Sequence, residues 1–222
     1  LTAVFETLRV KAHTLPLLER HLERLELNRR EVSLPPVPDG LGDLLTRQAQ
    51  AGPAEGVLRV QWDGRLEITR RALPSLEPVH VMTSSVAHTG YRVKTTDREI
   101  FDRARAEARD RGADEGLLLT PEGYVAEGSL FAVGWFHDER VRVPSLDLGI
   151  LPSIGRARAI EVARKLELVV EEGKFGRPAL DGRPAWIMTA VRGVIPMASL
   201  DGERAPQDGR VRALSEGFWP SG

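Results

Sequence analysis

The chain has 222 residues, enough for one large domain or two small ones, and 41% of them are hydrophobic, enough for a sizeable core. Its 31 basic and 32 acidic residues nearly cancel, which argues against a dedicated nucleic-acid binder or a polybasic membrane anchor. The absence of cysteine excludes disulfides, thiolate metal sites and cysteine nucleophiles, and with neither a signal peptide nor a long apolar run in view the cytoplasm is the expected location.

The first residues, up to Val10, suit a strand through Val4, Thr7, Leu8 and Val10. Thr14 is placed to cap a helix with Pro16 in its first turn, and Leu18, Leu22 and Leu25 follow at helical spacing. The charges on that helix, Arg20 and Arg24 among them, read as a solvated surface. A proline-rich connector, Leu34 to Gly40, precedes a short helix over Leu41 to Ala49. Val57 to Trp62 and Arg65 to Arg71 read as two strands turned by Asp63-Gly64. A strand over Pro78 to Thr83 would complete an antiparallel group. The first half is thus expected to be a small α+β layer.

At the centre of the chain Tyr91-Arg92-Val93-Lys94-Thr95-Thr96-Asp97-Arg98 joins this layer to a helix. Asp97 is the expected cap, Ile100, Phe101, Ala104 and Ala108 the buried face, and Gly112 the stop. Short strands with tight turns follow: Gly116 to Leu119, a run from Val125 to Phe136, and Val141 to Val143. They suggest a barrel-like sheet. Ser153 is a natural cap for a helix reaching about Leu166. Further strands are expected over Val169 to Glu171, Ala185 to Thr189 and Val194 to Ala198, and a last helix closes the chain.

Three features carry chemistry. A helix start such as Ser153-Ile154-Gly155-Arg156 offers backbone N–H groups and a dipole to a phosphate, with Gly155 permitting close approach and Arg156 adding charge. Glu127 lies among small and apolar residues and needs a partner there: an arginine, or a protonated ring nitrogen. Lys94 becomes a usable amine if its loop is enclosed. An amine, a carboxylate and a phosphate seat together are what pyridoxal phosphate requires.

The order of the motifs makes the resemblance specific. Phe5 to Val10, His21-Leu22-Glu23-Arg24-Leu25, Lys94-Thr95-Thr96-Asp97-Arg98, Gly123 to Ser129, Leu148 to Arg156 and Arg192-Gly193-Val194-Ile195-Pro196 follow one another as in the class IV pyridoxal-phosphate enzymes. That family includes branched-chain and D-amino-acid aminotransferases and 4-amino-4-deoxychorismate lyase. The resemblance implies a two-domain α/β (α+β) architecture of fold type IV. A small N-terminal domain over 1–86 and a larger domain over 87–222 with a barrel-like sheet are expected, with a cofactor cleft between them. It implies pyridoxal 5′-phosphate as cofactor, a Schiff base on Lys94, Arg24 on the phosphate, and Glu127 on the pyridine nitrogen. Ser153, Ile154 and Gly155 would hold the phosphate through the helix start. It also implies a homodimer acting on a small molecule. Arg9, Arg92 and Arg98 are candidates for a substrate carboxylate by charge alone.

The chain departs from the family pattern in five places. Phe131 and Ala132 replace a serine–asparagine pair, Asp97 replaces an asparagine, Gly155 stands for a threonine, Ala190 replaces a polar residue, and the strand and loop usual before Phe5 are expected to be missing. Fewer side-chain contacts to phosphate are expected. Arg98 stands where the branched-chain enzymes typically carry tyrosine, so the lyase is the first reading. An aminotransferase is the second, and a non-catalytic relative with a degenerate cofactor site the third.

Overall fold

The computed structural model describes residues 2–220. They fall into two compact units. The first contains the residues up to Ser75 with Val93–Asp97, and the second contains Leu76–Arg92 with Arg98–Trp219.

In the first unit, β1 (Val4–Lys11) pairs antiparallel with β2 (Glu55–Trp62), and β2 with β3 (Leu66–Arg71). The Asp63-Gly64 turn forms as expected, with Gly64 at φ +102° and the Asp63 carboxylate accepting the Arg65 N–H at 2.9 Å. Because side chains alternate along a strand, Val4, Glu6, Leu8 and Val10 share one face. The three apolar ones form a core with Leu25 of α1 (Leu18–Glu31) and Leu41, Leu45 and Ala49 of α2 (Leu41–Gln50). Glu6 is thereby carried into the core, at 1% exposure.

The other edge of β1 takes the segment containing Lys94. Phe5 N–H donates to Lys94 O at 3.1 Å, Thr96 N–H donates to Ala3 O at 2.8 Å, and Val4 bridges Thr95. The lysine loop is therefore an extra sheet edge held by backbone bonds.

Thr14 does not cap α1. Ala12 and His13 adopt left-handed backbone at φ +48° and +62°, and Thr14 donates through both its N–H and its hydroxyl to Lys11 O. This hairpin-type turn uses Thr14 before the helix begins, and α1 starts after Leu17 with no side-chain cap.

In the second unit, β4 (Val79–Ala87) is not the last strand of the first sheet. It lies parallel to β5 (Glu115–Leu119) and β11 (Gly193–Leu200). The helix α3 (Glu99–Asp110) makes the crossover that parallel neighbours require. The expected boundary at residue 86 therefore cuts a strand that belongs wholly to the second unit. The remaining strands are β6 (Val125–Gly128), β7 (Ala132–His137), β8 (Arg140–Pro144), β9 (Val169–Gly173), β10 (Ala185–Thr189) and β12 (Glu203–Arg204). Their order is β6-β5-β4-β11-β10-β7-β8-β9, with β12 on β11. The edge strand β6 also lies against β7 and β8, so the sheet curls into a half-barrel. Val81, Leu117, Val133, Ile187 and Met197 fill it.

The run from Val125 to Phe136 breaks at Ser129–Phe131. Gly128 N–H donates to Phe131 O at 2.7 Å, and a Cβ on Gly128 would lie 2.1 Å from the Phe131 ring. Glycine is required there by the ring that covers it. Asp97 does not cap α3, whose preceding residue is Arg98, again without a side-chain cap. Asp97 belongs with the sheet-edge segment of the first unit. Ser153 does cap α4 (Ile154–Lys165), its hydroxyl accepting the Arg156 N–H at 3.3 Å. The last helix, α5, spans Gly209–Glu216. No helix among the described residues is long and apolar enough to cross a membrane.

Candidate active site

Lys94 is half-buried on its sheet edge, and its Nζ lies 4.5 Å from the centroid of the Phe5 ring. The guanidinium carbon of Arg59, on β2, is 3.8 Å from the same centroid. On the opposite face of β1, Glu6 meets α1. Its carboxylate accepts from Arg24 Nε at 2.7 Å and Nη2 at 2.6 Å, and pairs with His21 Nδ1 at 2.7 Å. Burial alone raises the Glu6 pKa, but the Arg24 charge and hydrogen bonds, with His21, outweigh it and bring it down to about 2. Glu6 is ionised, so Nδ1 of His21 carries the proton. Burial pushes the His21 pKa down, the pairing with Glu6 opposes this, and the charges of Arg24 and Lys94 add to the lowering. The ring is therefore neutral, with Nε2 buried and without a hydrogen-bond partner. Arg24 is thus no solvated surface charge, since its side chain is 12% exposed and forks onto Glu6. The signal available in the sequence was Glu6 standing in the core-facing register of β1, with His21 and Arg24 one helical turn apart.

Glu127 sits on β6, 5% exposed. Its partner within the protein is not an arginine. His88, the residue after β4, pairs through Nε2 with Glu127 Oε1 at 2.9 Å, and Leu151 N–H donates to the same oxygen at 3.1 Å. Among the described residues no hydrogen bond reaches Oε2. The Leu151 bond ties Glu127 to the loop leading into α4. Tyr91 N–H donates to Gly149 O at 2.8 Å, joining the segment after His88 to that loop as well. His88 is the residue that sequence reasoning missed. Nothing local marks it, because the contact spans 39 residues.

The start of α4 differs in detail from expectation. A Cβ on Gly155 would lie 2.6–2.8 Å from the backbone of Thr189, so glycine serves close packing of the helix on the end of β10. A threonine would not fit here without a shift. Gly155→Thr is expected to lower stability by about 1–3 kcal/mol. Thermal denaturation checks this; an unchanged midpoint would show that α4 can move away from Thr189. Arg156 does not contribute a charge at the helix start. It is 5% exposed, and its Nη2 donates to Pro144 O at 2.9 Å and Glu172 at 2.5 Å. Ser153 keeps its hydroxyl proton available while accepting from Arg156, and Ile154 is buried. Ala190 lies in a turn that Thr189 closes by accepting the Val191 and Arg192 N–H groups.

The three substrate candidates have different settings. Arg9 is 8% exposed and bonded to Glu55 and Val10 O. Arg98 donates to Ser129 O at 2.5 Å and lies near the Phe101 ring. Arg92 is exposed. An open hollow of about 770 Å³ on the second unit, lined by His80, Thr83, Arg111 and Asp201 among others, contains none of the candidate residues. Its Asp201 is already bonded by Thr83 and Arg177.

A curled mixed sheet carrying a half-bonded buried carboxylate, beside a capped helix start, belongs to the pyridoxal-phosphate enzymes of fold type IV. The chain is a member of the amino-transferase class IV family, whose pattern matches residues 3–200. It is 35% identical over 88 residues, 39% of its length, to the aminodeoxychorismate lyase of Bacillus subtilis. That match spans 30% of the lyase. Among solved structures it is similar to a Thermotoga maritima protein provisionally named a branched-chain amino acid aminotransferase. The TM-score is 0.88 at 28% identity, over 98% of this chain and 84% of that one. A Legionella pneumophila protein provisionally named 4-amino-4-deoxychorismate lyase shares the fold, with a TM-score of 0.89 at 20% identity, over 96% of this chain and 88% of that one.

The cofactor of this family is pyridoxal 5′-phosphate, and the residues fit it. The decisive observation is Glu127: Oε1 accepts two hydrogen bonds from the protein, while Oε2, in a nearly buried side chain, accepts none from the described residues. A protonated ring nitrogen would be a fitting donor to this oxygen.

Proposed function

We propose that the chain is a 4-amino-4-deoxychorismate lyase, releasing 4-aminobenzoate and pyruvate for folate synthesis. The observation that carries the enzyme reading is the Glu127 carboxylate with Oε2 left over. The likeness to the Bacillus subtilis lyase is consistent with this activity, and Arg98 in place of the tyrosine typical of branched-chain aminotransferases favours the lyase over those enzymes.

Each residue then has a defined task. Lys94 would be the amine that holds the cofactor, whose ring supplies an electron sink when bound. Glu127 keeps the ring nitrogen protonated by offering it an anionic oxygen. The phosphate would be held by the backbone N–H groups of Ile154 and Gly155 with the Ser153 hydroxyl, and Arg24 is assigned to it as the family's phosphate-contacting arginine. Lys94 Nζ, as a free amine, would take the proton from the substrate carbon that bears the amine and would return one as the products leave. A substrate carboxylate is assigned to Arg9, Arg92 or Arg98 by charge. A homodimer in the cytoplasm belongs to the same proposal.

The second reading is an aminotransferase, favoured by the likeness to the Thermotoga maritima protein over 98% of this chain. The two separate in one assay. Pyruvate release from aminodeoxychorismate without added 2-oxo acid is the expected result. Amino transfer from amino acids to 2-oxo acids with no pyruvate from aminodeoxychorismate would overturn the lyase.

A further inference from the structure

The bond between His88 and Glu127 has a definite direction. Gly90 N–H donates to His88 Nδ1 at 3.3 Å, so Nδ1 presents its lone pair and the ring proton sits on Nε2. That proton points at Glu127 Oε1, 2.9 Å away. The imidazole side chain is fully buried, its ring edge-on to Phe101 at 5.9 Å and 71°. Its backbone is fixed too, since His88 N–H donates to Leu119 O at 2.7 Å. The end of β4 thus sets the ring, and Gly90 sets the tautomer.

Both donors to Glu127 are neutral: an imidazole N–H and the Leu151 amide. Neutral donors stabilise a buried carboxylate as an anion without cancelling its charge. An arginine at this place would neutralise the carboxylate and weaken its demand for a second cation. Neutral bonding of Oε1 leaves the negative charge for whatever meets Oε2.

We infer that His88 is a positioning residue for the cofactor: by filling Oε1 it orients Glu127 and reserves Oε2 for the protonated ring nitrogen. This rests on the reading above, in which Glu127 meets the pyridine nitrogen.

The test compares two amides of different reach. In His88→Gln the amide nitrogen extends as far as imidazole Nε2 and can still donate to Glu127. In His88→Asn it reaches only as far as Nδ1, so local packing is largely kept and the Glu127 donor is lost. His88→Phe removes both polar atoms. Purified apoprotein is titrated with pyridoxal 5′-phosphate, following the visible band of the bound cofactor, and its thermal midpoint is measured alongside. The expected result is an affinity loss of about tenfold to a hundredfold in His88→Asn and His88→Phe, with His88→Gln close to the wild type. Equal affinity in wild type, Asn and Gln variants overturns the inference. So does equal weakening in Asn and Gln that follows a fall in the apoprotein midpoint, which marks a purely structural role. A wild-type protein that shows no band in excess cofactor overturns the cofactor reading itself, and with it this inference. A normal wild-type band with indifferent His88 variants overturns the inference alone.

Discussion

Lys94→Ala is expected to abolish the visible absorbance of the protein with pyridoxal phosphate and to lower turnover by at least about 10²–10⁴-fold, the range for a lost proton-transfer group. The fold should survive. The loop is held by backbone bonds, Phe5 N–H to Lys94 O and Thr96 N–H to Ala3 O, and these do not need the side chain. The variant also loses the contact of the ammonium with the Phe5 ring, worth about 0.5–1 kcal/mol. Lys94→Arg keeps the charge but not the nucleophile, because a guanidinium stays protonated. It should therefore lose the band as completely as the alanine variant. Activity and band retained in either variant would remove Lys94 from the chemistry, whatever its place in the motif.

The second large effect concerns stability. Glu6→Gln is expected to destabilise the protein by about 3–5 kcal/mol, because it leaves the Arg24 guanidinium without its buried counter-charge. For a chain of this size that corresponds to a fall in the thermal midpoint on the order of 10 °C. The same cluster predicts acid sensitivity. The Glu6 pKa is depressed to about 2, against about 4.3 for a free glutamate. In the window between these values the unfolded chain binds the proton and the folded chain does not. The contribution, on the order of 3 kcal/mol, is therefore complete above the unfolded pKa and is lost as pH falls toward 2. His21 acts in the same direction. Its pKa is also lowered, so below about 6.5 the unfolded chain protonates it before the folded one does. Denaturant melts between pH 7 and 3 check both points. Wild type should lose stability with a steep slope below pH 5, and Glu6→Gln should start lower and show a flatter slope there. Parallel slopes would mean that Glu6 is not ionised in the folded protein.

Much of this molecule could be read one residue at a time. The Asp63-Gly64 turn, the Ser153 cap, the stop at Gly112 and the apolar face of α3 each depend on a few neighbours along the chain, and all formed as expected. Readings that failed were also local, but met a competitor from elsewhere. Thr14 was used by Lys11 before a helix could claim it, and Asp97 follows the segment bonded to the edge of β1, one residue short of the α3 cap position. The strand at Val79 looked ready for a hairpin sheet, and the α3 crossover gave it parallel neighbours more than 30 residues away.

For the candidate site the same division holds. The sequence by itself determined the class of the protein and nominated Lys94, Arg24 and Glu127 for the site, because motif order and residue type are properties of the chain. The tertiary structure alone decided what those side chains touch. It turned Arg24 onto Glu6, assigned Gly155 to packing against Thr189, took Arg156 away to Glu172, and placed His88 on Glu127. The reason is physical. A buried charge must find its partner wherever the fold brings a donor close, and closeness in space across 39 residues leaves no mark in a one-dimensional pattern.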